Sequence, residues 1–412
     1  MARFRKRGGE ASVATLEHQL TIFERLGQFT RRAEAPNPTR PAVKLFCLVL
    51  AIMGLGLILQ ASHASTIYAD PADFRREVFQ QSAFRIVALG VLLLGYRVGP
   101  ARLRALLPAF VVLSAVMLVS CWIPGLASPE NGSNRWIVIP FVEKTLQPSE
   151  LARVFLVLWV ADRCTRLGPR LLDLRQGVLP ILGMGLFFVA LIGLETDLGG
   201  ALVFLTVFLC TWFVGGASFA HFTGSIAAIG GAAFVIAVTS FEYIRRRIDV
   251  FLGNAQNDQV DSSIEALGSG HLFGVGFGHG QWRTSAMPYQ DSDYVFALLG
   301  EELGFFGMAL CIGLMVAFIW FSLRLVLTIR DRYAALAAFG LLLSVGLQAM
   351  IHMQVVTGLA PPKGMTLPFI SDGGTSLVVS SLAVGLALGA ARVDSSLDGA
   401  SELRPTLDPT AA

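Results

Sequence analysis

Long apolar runs alternate along the chain with short polar interruptions, and many runs approach the roughly twenty residues a helix needs to cross a bilayer. Their cores lie near Leu45–Ala61, Phe84–Tyr96, Leu106–Ile123, Leu151–Ala161, Val178–Leu194, Ala201–Gly215, Phe222–Phe241, Tyr294–Leu323, Ala334–Val355 and Leu377–Ala391. Several are short because polar residues trim their ends. The pattern predicts an all-α, polytopic helical membrane protein of about ten transmembrane helices. It divides the chain into an N-terminal tail (1–42), a membrane domain (43–392) and a C-terminal tail (393–412). Residues 242–293 form a long extracytoplasmic loop between the seventh and eighth helices.

An even number of crossings returns both termini to one side, and basic residues say which. Arg and Lys crowd Arg3 to Lys44, Arg97 to Arg104, Arg163 to Arg175 and Arg324 to Arg332, at every second connection. Those ends, and both termini, are therefore expected in the cytoplasm, with Asp293 facing outward. Arg245, Arg246 and Arg247 oppose the bias, but their loop is long enough to be translocated regardless of charge. They read equally as a site for an anionic headgroup and as a solvated interfacial helix.

Composition sharpens the picture. Of 412 residues, 54% are hydrophobic and 15% charged, against roughly 25% charged in a soluble domain. The formal charge of +3 follows from the inner-loop bias and implies no nucleic acid. Cys47, Cys121, Cys164, Cys210 and Cys311 are scattered through or beside apolar runs and read as packing residues. No P-loop, dinucleotide fingerprint or zinc-protease motif occurs. The basic N-terminal stretch lacks the apolar core and cleavage site of a removable signal. Within it, Leu16 to Phe29 suits either an amphipathic surface helix or a disordered tail, and the polar segment after Arg392 is expected to be disordered.

Ionisable groups at membrane depth are costly unless paired or wet, so those beside the runs are informative. They fall into four clusters. In the first, Arg135-Trp136 suits an interfacial anchor or a phosphate contact. Gln147-Pro148-Ser149-Glu150 reads as a helix start, with Glu150 at the positive end of the dipole or partnering Arg153. The second, Glu195 to Ala201, is a tight turn in which Asp197 caps the next helix.

The third holds Gln259, Ser262, Ser263, the glycine-rich passage Ser269 to Gly280, Asp293, Glu301 and Glu302. On one helix, Asp293 and Glu301 would share a face about 12 Å apart in height, as a base and a support. Read structurally, Asp293 is a helix N-cap and the glutamates pair with an arginine. The fourth, Pro361 to Leu377, breaks the helical pattern with prolines and glycines and predicts a re-entrant segment. Lys363 within it is either a snorkelling anchor or a cation for pyrophosphate.

Together and in this order, the clusters resemble the SEDS family of shape, elongation, division and sporulation proteins, whose members include FtsW, RodA and SpoVE. The resemblance runs from about Phe46 to Arg392. It is carried by Arg135-Trp136 with Gln147-Pro148-Ser149-Glu150, by Asp197-Leu198-Gly199 with Ala201, and by Ile264 through Gly276. Asp293 through Gly307, Leu367 through Ser371 and Gly373 through Leu377 complete it. The stretch Lys363 to Pro368 is closer to the division member FtsW than to the elongation member RodA.

The resemblance implies a peptidoglycan glycosyltransferase that polymerises lipid II into β-1,4-linked strands at the outer face of the bacterial inner membrane. It also implies a class B penicillin-binding protein as partner, among other divisome or elongasome membrane proteins. Asp293 matches the family's catalytic carboxylate. Arg135, Trp136, Gln259, Ser263, Lys363, Ser371, Arg245 and Arg246 are then candidates for binding lipid II and the undecaprenyl-diphosphate-linked glycan. Glu150, Asp197, Glu301 and Glu302 are candidates for support.

The chemistry suits these residues. A sugar hydroxyl attacks the anomeric carbon of the lipid-linked chain, a carboxylate takes its proton, and fixed cations receive the charge that develops on the departing diphosphate. Arg135, Arg245 to Arg247, Arg283 and Lys363 could supply that charge. No compact acidic set points to a metal, and a divalent cation, Mg or Mn, is the one cofactor left open.

This chain departs from the family pattern at Thr196, Gly200, His271, Tyr289, His352, Val356 and Asp372. Tyr289 replaces a carboxylate for which Asp291 could substitute electrostatically. A flippase for lipid-linked sugars is the competing reading, since broken helices and intramembrane carboxylates also build translocation paths. The outward clustering of polar groups and the retention of Asp293 favour the enzyme over both that reading and an inactive scaffold.

Overall fold

The computed structural model describes residues 39–402 apart from 129–132, 140–143, 241, 255 and 281–291. The chain runs through α1 (Thr39–Ile67), α2 (Pro71–Leu103) and α3 (Leu107–Ser120), then a hairpin of β1 (Ile137–Ile139) and β2 (Lys144–Leu146). Next come α4 (Pro148–Leu167), α5 (Leu179–Leu194), α6 (Leu198–Val214) and α7 (Phe219–Ser240). After these come α8 (Glu242–Phe251), α9 (Asp258–Ser269), α10 (Val295–Thr328), α11 (Arg332–Val356) and α12 (Gly374–Glu402).

Every apolar run lies on a helix, and the protein is an all-α, multi-pass membrane protein. Six described stretches are long and apolar enough to cross a membrane, and one of them, Pro71–Ser120, carries two of the runs. Three boundaries differ from expectation. Helix α2 starts at Pro71, well before the apolar core, because Asp70 caps it: its Oδ1 accepts from the Ala72 amide at 2.8 Å. The stretch expected as a long loop contains α8 and α9. Helix α12 continues to Glu402 into the expected tail, where the first proline is Pro405. The Leu16 to Phe29 stretch lies outside the described residues.

The core centres on α4, α11 and α12. On α4, Val154 through Ala161 are all buried, while α2 and α3 leave Ile86, Val112 and Val116 exposed. Helices α2 and α12 touch backbone to backbone, for a Cβ on Gly389 would lie 2.7 Å from the Tyr96 carbonyl oxygen. Small residues permit this approach in a membrane bundle, where dispersion rather than water exclusion draws helices together.

The glycine-rich passage turns out to be a plug. Helix α10 breaks at Gly304, whose φ is 63°, and the break would orphan backbone groups. Residues 271–276 satisfy them: Val275 N donates to Glu301 O at 3.0 Å, Gly276 N to Glu302 O at 3.0 Å, and Phe305 N to His271 O at 2.9 Å. A side chain on Gly304 would strike the Gly274 amide. At the opposite end of the bundle, buried Asp162 pairs with Arg104 and, at 2.8 Å, with Arg166.

Candidate active site

A cavity opens between the ends of α4, α6, α10 and α11. The non-helical segment 361–373 forms one wall. It gathers members of all four polar clusters: Arg135, Trp136 and Glu150 from the first, Asp197 from the second, Asp293 from the third and Lys363 from the fourth.

Local signals place the first two. Helix α4 begins at Pro148 with Gln147 at the cap, which sets Ser149, Glu150 and Arg153 on the cavity side. The hairpin pairs Ile137 with Leu146 and carries Arg135-Trp136 over the cavity. It is tied down by Thr375 Oγ1 donating to Thr145 O at 2.9 Å and by Ser133 Oγ donating to Glu195 O at 2.8 Å. The Arg135 guanidinium lies 5.8 Å from the Trp136 ring centroid. Arg135 Nε and Trp136 Nε1 are buried donors without a hydrogen-bond partner. Such donors are costly to leave unmet, so they mark where a ligand's acceptors belong.

Asp197 is both cap and ion-pair partner. Its Oδ1 accepts from the Gly200 amide at 2.9 Å, its Oδ2 from Gln147 Nε2 at 2.9 Å, and Lys363 Nζ lies 3.9 Å away. Asp197 lies in the turn between α5 and α6. Burial alone pushes its carboxyl up, but Lys363, Arg135, the Gly200 amide and Arg153 together outweigh this and hold it below the usual carboxylate value. Lys363 is pushed down to about 8, first by burial and then by Arg153, Arg135 and Arg247, against the pull of Asp197. Its side chain is only 13% exposed, so it is no snorkelling anchor. Nearby Glu195, which lines no part of the cavity, is pushed up to about 8 by burial and by Asp197.

Asp293 is half-buried in the cavity wall. The helix starts after it, with Tyr294 in the cap position and no side-chain capping bond. Asp293 is held instead by its neighbours: Ser371 Oγ donates to Ser292 O at 2.6 Å and accepts from Leu367 N at 2.7 Å. A Cβ on Gly364 would lie 2.5 Å from Asp293 Oδ2. Ser371 therefore sits behind the carboxylate rather than in the cavity.

The structure separates other candidates from this cavity. Glu301 does not share a helical face with Asp293, because Asp293 precedes the helix. Glu301 is buried beside Gly280, while Glu302 Oε1 accepts from Ser62 Oγ at 2.8 Å and the Gly278 amide at 3.1 Å. Both acids lie under the plug. Ser263 Oγ donates to Val356 O at 2.9 Å and joins α9 to α11, and Gln259 lies at the start of α9. Arg245 and Arg246 are exposed on α8, and the charge of Arg247 is felt at Lys363. Arg283, Tyr289 and Asp291 lie outside the described residues.

Other cavity residues were not singled out from sequence. Gln348 Oε1 accepts from Arg153 Nη2 at 2.7 Å, and its Nε2 donates to Thr366 Oγ1 at 3.2 Å and Ser376 Oγ at 3.1 Å. This network fixes a polar floor beneath the cavity. An amide in the middle of an apolar run was the available signal. Among the described residues, no group of three or more His, Cys, Asp and Glu side chains could hold a metal ion.

Residues 41–396 match the model of the FtsW, RodA and SpoVE family, described as cell cycle proteins. The chain belongs to this family. It is 32% identical over 361 residues to stage V sporulation protein E of Bacillus subtilis (strain 168), covering 86% of this chain and 98% of that protein. It is 33% identical over 379 residues to a probable peptidoglycan glycosyltransferase FtsW of Nitrosococcus halophilus (strain Nc4), covering 89% and 95%. A solved chain shares its fold with a TM-score of 0.71 at 24% identity, over 85% of this chain and 97% of that one. That structure concerns the structural coordination of polymerization and crosslinking by a peptidoglycan synthase complex. The family match spans all four polar clusters, so the FtsW/RodA/SpoVE membership covers the cavity and the bundle around it.

Proposed function

We propose that in this peptidoglycan glycosyltransferase of FtsW type Asp293 accepts the proton of the attacking sugar hydroxyl while lipid II is polymerised. One observation carries the reading. Asp293 shares a single cavity with Lys363, Arg135 and Arg153, and the unpartnered donors of Arg135 and Trp136 lie in the same walls. A base and a cluster of cations around one space are what glycosyl transfer from a diphosphate requires.

In the reaction, the 4-hydroxyl oxygen of one lipid-linked disaccharide forms a bond to the anomeric carbon of the other. The bond from that carbon to the diphosphate oxygen breaks, and undecaprenyl diphosphate leaves with the electron pair. The hydroxyl proton passes to Asp293, a contribution of about 10² to 10⁴ in rate. Charge grows on the diphosphate in the transition state, so Lys363, Arg135 and Arg153 stabilise it more than the ground state. Asp197 supports Lys363 and Glu150 supports Arg153, with which it is electrostatically coupled. A divalent cation, Mg or Mn, would arrive with the diphosphate and add to this field.

The basic connections support a topology of ten crossings with both termini cytoplasmic and the cavity facing outward from the inner membrane. The FtsW relatives support a role in cell division. The synthase-complex neighbour supports a class B penicillin-binding protein as the partner that crosslinks the strands. Between Arg153 and Asp162 every α4 residue is apolar and buried, about two and a half helical turns without a polar step. This weighs against a flippase path along α4.

The test is polymerisation of lipid II by the full chain with its transpeptidase partner. Asp293→Asn is expected to fold, bind lipid II and make no glycan. Strand synthesis by Asp293→Asn at the wild-type rate would remove the base assignment. Movement of lipid II across liposomes without polymer would replace the reading with transport.

A further inference from the structure

Arg85 lies on α2, is buried, and has no place in the cavity. A guanidinium at membrane depth is costly, so its contacts identify what it serves. Nε donates to Met53 O of α1 at 3.3 Å, and Nη1 to the Gln81 carbonyl and side-chain oxygens, each at 3.2 Å. Nη2 reaches Ile370 O of the non-helical segment at 3.4 Å, where Gln60 Nε2 of α1 donates to the same oxygen, also at 3.4 Å. The Asp372 carboxylate adds a favourable charge interaction with Arg85. On the other side, α1 presses against Ile370 so closely that a Cβ on Gly56 would lie 2.7 Å from the Ile370 Cα.

The gripped peptide is a strained one. Phe369, just before Ile370, has a φ of 68°, a region unfavourable to a non-glycine residue that persists only where neighbours over-determine it. Just after Ile370 comes Ser371, whose hydroxyl holds the Ser292 carbonyl at 2.6 Å. Asp293 is the next residue. The clamp on Ile370 is thus separated from the catalytic carboxylate by one hydrogen bond and two peptide links.

We propose that Arg85 is a positioning residue for Asp293, acting from α2 through Ile370, Ser371 and Ser292. The inference rests on the reading of Asp293 as the proton acceptor. Relaxing the strained turn shifts Ser371, and with it the carboxylate, away from the attacking hydroxyl. Misplacement by about 1 Å is enough to cost about 10² in rate.

The experiment measures lipid II polymerisation by the full chain with its transpeptidase partner, alongside thermal stability and the stoichiometry of lipid II binding. Arg85→Gln is expected to lower kcat about 10- to 100-fold with KM and binding stoichiometry unchanged. Arg85→Lys, which keeps a donor and the charge, is expected to recover most of the loss. In a Ser371→Ala background, Arg85→Gln should cost little more, because the link is already cut. Should Arg85→Gln fail to fold, Gln60→Leu removes the second donor to Ile370 O and is expected to act in the same direction. A kcat within twofold of wild type for the variant that folds overturns the proposal. So does a penalty that multiplies in full on Ser371→Ala, or a binding stoichiometry that falls in step with kcat. Asp293→Asn, run in parallel, separates the two claims: if it polymerises lipid II, the base assignment fails whatever Arg85 does.

Discussion

Replacing Lys363 with methionine removes a buried cation while keeping most of the side chain's volume. The ammonium lies 3.9 Å from Asp197 Oδ1, with side-chain exposures of 13% and 3%. At an effective dielectric constant of about 20, that separation corresponds to about 4 kcal/mol of attraction. Stranding one member of such a pair costs about 3–5 kcal/mol. Asp197 keeps its bonds from Gln147 and Gly200, which places the expected loss of stability near the low end, about 3 kcal/mol. Catalysis suffers as well, because the missing charge also faces the leaving diphosphate, and a fall of about 10² to 10³ in kcat is expected. The double variant Lys363→Met with Asp197→Asn strands no charge. It should regain most of the stability, read as thermal unfolding in detergent, while lipid II polymerisation stays low. Wild-type polymerisation by Lys363→Met, or recovery of activity in the double variant, would refute the assignment of this cation to the diphosphate.

The lowered value of Lys363, about 8, gives a pH dependence with a definite sign. The charged form is the active one, so kcat/KM for lipid II should be full below about pH 8 and fall up to tenfold per pH unit above it. Lys363→Arg should remove this limb, whereas a limb arising from Glu195, also near 8, would survive that change. Gly364→Ala puts a methyl group where Asp293 Oδ2 lies, at 2.5 Å. It is expected to lower kcat about tenfold or more, with lipid II binding, followed by filter retention, nearly unchanged. Gly304→Ala forces a left-handed φ on an L-residue and drives its side chain into Gly274. It should destabilise the fold by at least about 1–3 kcal/mol and expose 271–276 to protease, and native-like protection there would count against the plug.

Much of the fold was legible because its cause is local. A run of apolar residues forms a helix in a bilayer whatever its neighbours are, since each backbone group bonds within the segment. The start of α4 at Pro148 and the cap at Asp197 were readable for the same reason. The glycine-rich passage was visible as an oddity, but its role was not, because the helix break it repairs, at Gly304, lies more than twenty residues later.

Local pattern alone specifies a membrane-embedded helical bundle with four polar clusters and an unusual carboxylate, Asp293. Packing of distant segments settles which groups meet: Asp197 with Lys363, Arg153 with Gln348, Asp293 with Gly364, and Ser371 with the carbonyl of Ser292. It also placed Glu301 and Glu302 under the plug, though spacing had put Glu301 on one face with Asp293. Helical periodicity relates residues only within one continuous helix. The cavity is built where separate segments end, and the geometry there comes from close packing of helix on helix, which no local pattern encodes.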